Sequence, residues 1–157
     1  MDKKALNGYK KVAILCFLFI AVSIFRNVAF DVVVVAGDSM NNSFFQGDAL
    51  LAKSDTSHIE RFDVVVAKVQ GQKIIKRVIA LPQETIQIQN GAVYVNGEEI
   101  VGSFDFVTEN AGIANEPYTL NDGEYFLMGD NRSRSYDSRY FGGVNIKDIK
   151  LVVVYKF

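Results

Sequence analysis

Residues 85–100 read TIQIQNGAVYVNGEEI, and this stretch decides the fold class of the chain. Asn90-Gly91 and Asn96-Gly97 are two-residue turns, and Asn-Gly favours the positive φ angles of type I′ hairpins. Apolar residues alternate around the first turn and give the resulting three-stranded meander one buried face: Ile86, Ile88, Val93 and Val95.

Further β-branched runs lie on both sides of this meander, bounded by Gly, Asp, Ser or Gln. They are Val32–Ala36, Ala49–Lys53, Asp63–Val69, Lys73–Leu81, Glu124–Met128 and Lys150–Tyr155. Residues 102–124 are weakly patterned, and we expect a looser excursion there. No stretch of the domain has a convincing amphipathic helical period. The sequence therefore predicts a mostly β architecture.

The N-terminal thirty residues differ from the rest. Val12–Phe25 carries no charge, and the apolar segment counted through Phe30 would span about 28 Å as a helix, close to the hydrocarbon thickness. Four lysines precede it and an acidic domain follows, so the positive-inside rule places the N-terminus in the cytoplasm. We therefore predict a basic start and transmembrane anchor over 1–30 and an extracytoplasmic domain over 31–157. A cleavable signal peptide is the alternative, and it leaves the domain on the same side.

Composition excludes several classes of function. From Asp31 to the end the chain has 12 Lys and Arg against 17 Asp and Glu, so it lacks the basic footprint of a nucleic-acid binder. Cys16 is the single cysteine and His58 the single histidine, which rules out a disulfide framework and Cys- or His-rich metal sites. We expect no metal or other cofactor and no nucleic-acid partner.

Three short stretches, far apart in sequence, carry the residue types that catalysis needs. They read GDSM at 37–40, IIKRVIALP at 74–82 and GDNRSRSYDSRYFGG at 129–143. Lys76 lies in a strongly apolar strand, and burial would lower its pKa from about 10.4. A neutral amine can take the proton of a serine hydroxyl, which is Ser-Lys catalysis without histidine. The alternative is that Lys76 faces water and Arg77 points inward.

Ser39 follows a valine strand through a Gly-Asp corner. Gly37 would let the backbone approach a substrate closely, and the amide of Ser39 could then help to hold a developing oxyanion. Serines at strand ends are also common turn formers, so Ser39 alone is a weak signal.

On its residues alone, the third stretch is a polar loop with internal ion pairs. We expect Asp130 to pair with Arg132 or Arg139, and Asp137 to pair with a neighbouring arginine.

Taken in this order, the three stretches resemble the boxes of bacterial signal peptidase I. That family has Ser-Met after the membrane anchor, Lys-Arg-Val-Ile-Gly-Leu-Pro on a later strand and Gly-Asp-Asn-Arg-x-x-Ser-x-Asp-Ser-Arg near the end. Here the boxes stand at Ser39-Met40, Lys76–Pro82 and Gly129–Arg139. Gly47-Asp48 and Arg61–Val65 resemble intermediate boxes, so the match covers nearly the whole domain. The single anchor and short domain are similar to the Gram-positive branch.

The resemblance implies an antiparallel, signal-peptidase-like β domain in which Ser39 is the nucleophile and Lys76 the general base. Ser135 matches the family serine that orients the lysine. Four further residues match those that hold the last box beneath the site: Asp130, Arg132, Asp137 and Arg139.

The resemblance also implies the substrates, which are signal peptides of exported preproteins ending in Ala-x-Ala, laid extended beside the strand before Ser39. Shallow apolar pockets would take the small first and third side chains before the cut, and they select by steric fit. By position, these pockets are lined by Val33, Val35, Met40 and Ile75.

The chain departs from the family pattern at turns. Asn42 and Ser43 replace the usual proline and threonine, and Ala80 and Gln83 replace two glycines. Two rival functions follow from related architectures. One is a non-proteolytic, signal-peptidase-like assembly factor or chaperone for exported pilus-type surface proteins. The other is a self-cleaving repressor-type protease, which would need a DNA-binding domain and a soluble start.

Overall fold

The computed structural model describes residues 10–17, 30–102 and 107–157. Within these ranges, antiparallel strands form a seven-stranded sheet in the order β1-β2-β11-β3-β4-β9-β10 and a four-stranded sheet in the order β7-β6-β5-β8. The strands are β1 Phe30–Val34, β2 Ala49–Lys53, β3 Val64–Val69, β4 Gln72–Ala80, β5 Thr85–Gln89, β6 Ala92–Val95, β7 Glu98–Glu99, β8 Tyr118–Thr119, β9 Glu124–Met128, β10 Val144–Asn145 and β11 Ile149–Lys156. The mostly β, antiparallel prediction is confirmed.

The smaller sheet forms as residues 85–100 predict. Asn90 and Gly91 have φ of +52° and +85°, and Asn96 and Gly97 have +53° and +84°, as type I′ turns require. The four alternating apolar residues are buried, with Ile86 opposite Val95 and Ile88 opposite Val93.

Strand β4 is the central element of the core because both of its faces are covered. Ile79 packs with Phe126 and Met128 of β9 against the smaller sheet. Val78 lies in a second cluster with Val65 of β3 and other apolar residues. Consecutive residues Lys76–Ala80 are therefore all buried. This double coverage takes Lys76 and Arg77 out of water together.

Helical structure in the described chain is short. A four-residue α-helix, Ser138–Phe141, begins after Asp137, whose carboxylate accepts a hydrogen bond from the amide of Arg139. Single 3-10 turns lie at Gly112–Asn115, Arg132–Arg134 and Ile146–Asp148.

The looser excursion expected over 102–124 is more ordered than its weak pattern indicates. Residues 103–106 lie outside the described residues. Beyond them, the turn at Gly112–Asn115 packs on β5, and β8 adds a fourth strand to the smaller sheet through Thr85–Thr119 and Ile86–Tyr118 pairs. A two-residue strand is too short to show an alternating pattern, which is why the sequence did not reveal it.

The first strand begins two residues before its predicted start. Phe30 pairs with Lys53, the last residue of β2, so β1 and β2 pair along the whole length of both strands.

The predicted anchor, 1–30, lies largely outside the described residues. Residues 10–17 are helical, and among the residues described, no helix is long and apolar enough to cross a membrane.

Candidate active site

The side chains of Ser39 and Lys76 meet, although they are 37 residues apart. Lys76 Nζ donates a hydrogen bond to Ser39 Oγ at 2.6 Å, and only 4% of the Lys76 residue surface is exposed. Burial lowers the pKa of Lys76 below its ordinary value, since the charged amine loses its hydration. The charge of Asp137 opposes this shift, and that of Arg139 adds to it. The pair has the geometry of a nucleophile and its base.

Arg77 is buried as well as Lys76. The expectation that only one of the two points inward therefore does not hold. Its guanidinium forms a bidentate pair with Asp130, with Nε–Oδ1 at 2.8 Å and Nη2–Oδ2 at 2.6 Å. It also donates to the carbonyl of Phe62 at 2.8 Å. The expected pairing of Asp130 with Arg132 or Arg139 is therefore wrong. The partner comes from β4 instead, because Arg77 and Met128 are register partners and Asp130 follows Met128 by two residues.

The turn that carries Ser39 is held by the third stretch. Gly37 has φ of +87°, a left-handed conformation that favours glycine. The amide of Asn131 donates to the carbonyl of Ser39 at 3.0 Å, and its side-chain amide donates to the carbonyl of Asp38 at 3.0 Å. Arg134 forms an exposed ion pair with Asp38 at 2.8 Å. Sequence reasoning missed Asn131, although its place in the last box could have indicated a role.

Buried charges brace the same loop from within. Arg139 and Asp137 form the predicted ion pair, with two N–O contacts of 2.8 and 2.9 Å. Asp137 also accepts the amide proton of Gly129 at 3.0 Å. Arg139 donates to the carbonyl of Arg132 at 2.7 Å, and Arg132 donates to Thr108 Oγ1 at 2.7 Å. These bonds hold the loop that carries Ser135.

Ser135 is buried next to the Ser39 backbone. A Cβ atom at Gly129 would lie 2.3 Å from Ser135 Oγ and 2.4 Å from the Ser39 carbonyl oxygen, so both groups converge on this glycine. Ser135 Oγ has no hydrogen-bond partner among the described residues. The bond to Lys76 that the resemblance implies is therefore not formed in this structure, and the orienting role stays a prediction.

A cleft of about 250 Å³ opens beside the pair. All four residues predicted to bind substrate line it: Val33, Val35, Met40 and Ile75. Ser39, Lys76 and Gly37 line it as well, together with Lys73, which sequence reasoning did not single out. A larger cavity of about 570 Å³ lies beside the smaller sheet and contacts neither residue of the pair. The cleft is the cavity that a substrate of the pair would occupy.

In the part of the chain that the structure describes, no group of three or more His, Cys, Asp or Glu side chains is placed to hold a metal ion.

The sequence profile of the family described as signal peptidase, peptidase S26, matches residues 9–155. The chain belongs to this family. Its membership makes the chain a serine endopeptidase.

Similarity to individual members of the signal peptidase family extends over most of the chain. Signal peptidase I V of Bacillus subtilis is 36% identical over 145 residues, which cover 82% of this chain and 86% of the relative. Signal peptidase I S of the same organism is 31% identical over 153 residues, covering 87% and 80%. The crystal structure of a signal peptidase I from Enterococcus faecalis is similar with a TM-score of 0.53 and 29% identity, covering 64% of this chain and all of that one.

Proposed function

We propose that this chain is a membrane-bound endopeptidase that removes N-terminal signal peptides from exported preproteins, with Ser39 as nucleophile and Lys76 as general base. One observation carries the proposal: Lys76 Nζ lies 2.6 Å from Ser39 Oγ and is buried. The names of the similar signal peptidases support the substrate class.

Acylation follows from this contact. Neutral Lys76 takes the proton of Ser39 as Oγ attacks the carbonyl carbon of the cleaved bond. The oxyanion that develops accepts a hydrogen bond from the amide of Ser39, in the turn that Gly37 permits. The protonated lysine then gives its proton to the leaving amine, and the peptide bond breaks. This leaves the signal peptide as an ester on Ser39, with Lys76 neutral again.

Deacylation uses the same base. Lys76 takes a proton from a water molecule that attacks the ester carbonyl, and then returns the proton to Ser39 Oγ as the ester bond breaks. We assign to Ser135 the task of orienting the amine, and to Asp130, Arg132, Asp137 and Arg139 the task of supporting the loop beneath it. The loop holds the buried Ser135 next to the Ser39 backbone, which supports this assignment.

The cleft supports a substrate that ends in Ala-x-Ala. Val33, Val35, Met40 and Ile75 form shallow apolar walls that leave room for small side chains. Such walls reject larger residues by overlap rather than by lost hydrogen bonds.

We place the domain on the outer face of the membrane. Strand β1 starts at Phe30, the last residue of the predicted anchor, and its residues Phe30, Val32 and Val34 are exposed. Tyr155 and Phe157 at the end of β11 are exposed as well. Exposed apolar residues clustered in this way are typical of a surface that contacts a membrane or a partner.

The decisive experiment is cleavage of a synthetic signal peptide by the full chain in detergent micelles. Ser39→Ala and Lys76→Ala should each lower kcat/KM by at least about 10³-fold, and the double variant should be hardly worse, because the two residues act as one unit. Circular dichroism should show an unchanged β fold. A folded wild type that cuts no such peptide would favour the assembly-factor alternative, and a rate independent of Lys76 would end the dyad proposal.

A further inference from the structure

At its end away from Ser39, the cleft is lined by a charged residue. Lys73 lines the cleft there, and it also lines a neighbouring cavity of about 410 Å³. Going away from Ser39, the cleft wall on the β1 side passes from Val35 to Val33, and Asp31 lines the second cavity. Lys73 is therefore a lining residue of both cavities.

Two more lysines surround this second cavity. Lys68 of β3 is the register partner of Lys73, and such cross-strand neighbours point to the same face of a sheet. Ile75 and its partner Val66 lie on that face as well, two residues along each strand. Lys150, at the irregularity of β11, completes the group. Three lysines thus line a single cavity.

These lysines are not neutralised by neighbours. None of Lys68, Lys73 and Lys150 forms an ion pair with any residue that the structure describes, and Lys150 donates to the backbone carbonyl of Lys147. Among the residues that the structure describes, Asp31 is the one carboxylate that lines the cavity, and no described lysine is within ion-pair distance of it. Like charges placed opposite each other on adjacent strands cost stability. The cavity thus favours an anionic occupant.

We propose that Lys73, with Lys68 and Lys150, makes the enzyme prefer a negative over a positive side chain five positions before the cleaved bond. This inference rests on the proposed function. We place the first residue before the cut at Val35 and the third at Val33. Because the side chains of an extended peptide alternate, the fifth then lies beside Asp31 and Lys73. An acidic side chain there is attracted by three lysines and repelled by one aspartate. A basic side chain is repelled by the three lysines and attracted by the aspartate alone.

Binding to the full chain carrying Ser39→Ala, in uncharged detergent micelles, tests this without turnover. Three labelled peptides would end in Ala-x-Ala at the cut site and differ only in Glu, Gln or Lys five positions before it. Fluorescence anisotropy should show that the Glu peptide binds about three- to tenfold tighter than the Lys peptide, as expected for one or two partly exposed ion pairs. The preference should shrink at high salt, since the screening length falls from about 10 Å at 0.1 M to about 3 Å at 1 M.

Lys73→Glu in the same background should abolish the preference for the Glu peptide over the Lys peptide, because two lysines then stand against two carboxylates in the cavity. Lys147→Glu makes the same charge change at an exposed residue that lines neither cavity, and it should leave the preference unchanged. Equal binding of the peptides, binding of none, or an equal effect of both variants would overturn the inference. A clear binding preference in a chain whose wild type cuts no peptide would instead refute the proposed function and leave the charge selection standing.

Discussion

At Gly129, the lack of a side chain lets two parts of the site approach each other. Its amide donates to Asp137, and the space next to its Cα is occupied by Ser135 Oγ and the carbonyl of Ser39. Its φ lies outside the left-handed region, so a larger residue would be excluded by lack of space rather than by backbone strain. The position of Ser39 therefore depends on the lack of a Cβ atom at Gly129, 90 residues later in the chain.

Gly129→Ala should displace the Ser39 and Ser135 backbones. We expect an at least tenfold loss of kcat/KM and a loss of about 1–3 kcal/mol of unfolding free energy, the usual cost of overpacking. Peptide cleavage and urea unfolding measure the two effects. Gly97→Ala is the matched control, since a Cβ there meets no atom within 4 Å and only its φ of +84° is unfavourable. Wild-type activity in Gly129→Ala would contradict this account of the site.

The sequence alone does not decide where Lys76 points, because a strand with one buried face can turn only one of two consecutive residues, Lys76 or Arg77, inward. The structure buries both, since β4 packs against apolar clusters on both of its faces. The sequence likewise favours a partner for Asp130 close in the chain, whereas its partner Arg77 lies 53 residues earlier. Rules that pair residues close in sequence do not predict a contact between residues 53 positions apart.

Among the elements, β4 carries both Lys76 and Arg77, and the ion pair of Arg77 with Asp130 fixes the loop after β9. Arg77 and Asp130 have side chains only 8% and 1% exposed, whereas Arg134 and Asp38 on the surface are 71% and 44% exposed. Removing one member of a buried pair leaves the other charge unpaired in a low dielectric.

Arg77→Ala should therefore cost about 3–5 kcal/mol of unfolding free energy, whereas Arg134→Ala should cost less than about 1 kcal/mol. Urea unfolding followed by circular dichroism measures both. The Arg77→Met, Asp130→Leu double variant should recover part of the loss, because no buried charge remains. Equal costs for the two single variants would show that the pair does not brace β4 against the loop.

For the whole molecule, the sequence predicts the smaller sheet better than the larger one. Asn-Gly turns and alternating residues specify neighbours that are adjacent in the chain. In the larger sheet, β11 from the C-terminus lies between β2 and β3. No local pattern encodes that insertion, which depends on burying apolar residues such as Leu151 and Val152 against strands formed much earlier in the chain.

The outward face of β1 and the end of β11 should touch the bilayer if the domain sits on the membrane as proposed. Val32 and Tyr155 are both register partners of Leu51, so they flank it on the same stretch of sheet. In a chain with Cys16→Ser, a fluorophore on Tyr155→Cys should be quenched by lipids that carry a shallow spin label in liposomes. The same fluorophore on Gln89→Cys, exposed on the smaller sheet, should not be quenched. Equal quenching would place the membrane elsewhere.

The titration of Lys76 tests the central claim most directly. NMR of the full chain with isotope-labelled lysine should show one amine that titrates below the ordinary pKa of about 10.4, and this signal should be missing from Lys76→Met. Because burial disfavours the charged form, the amine is neutral above its lowered pKa, so kcat/KM should rise over that same pH range. A Lys76 signal that titrates with the surface lysines would contradict the account, since that amine would be protonated where the enzyme is meant to work.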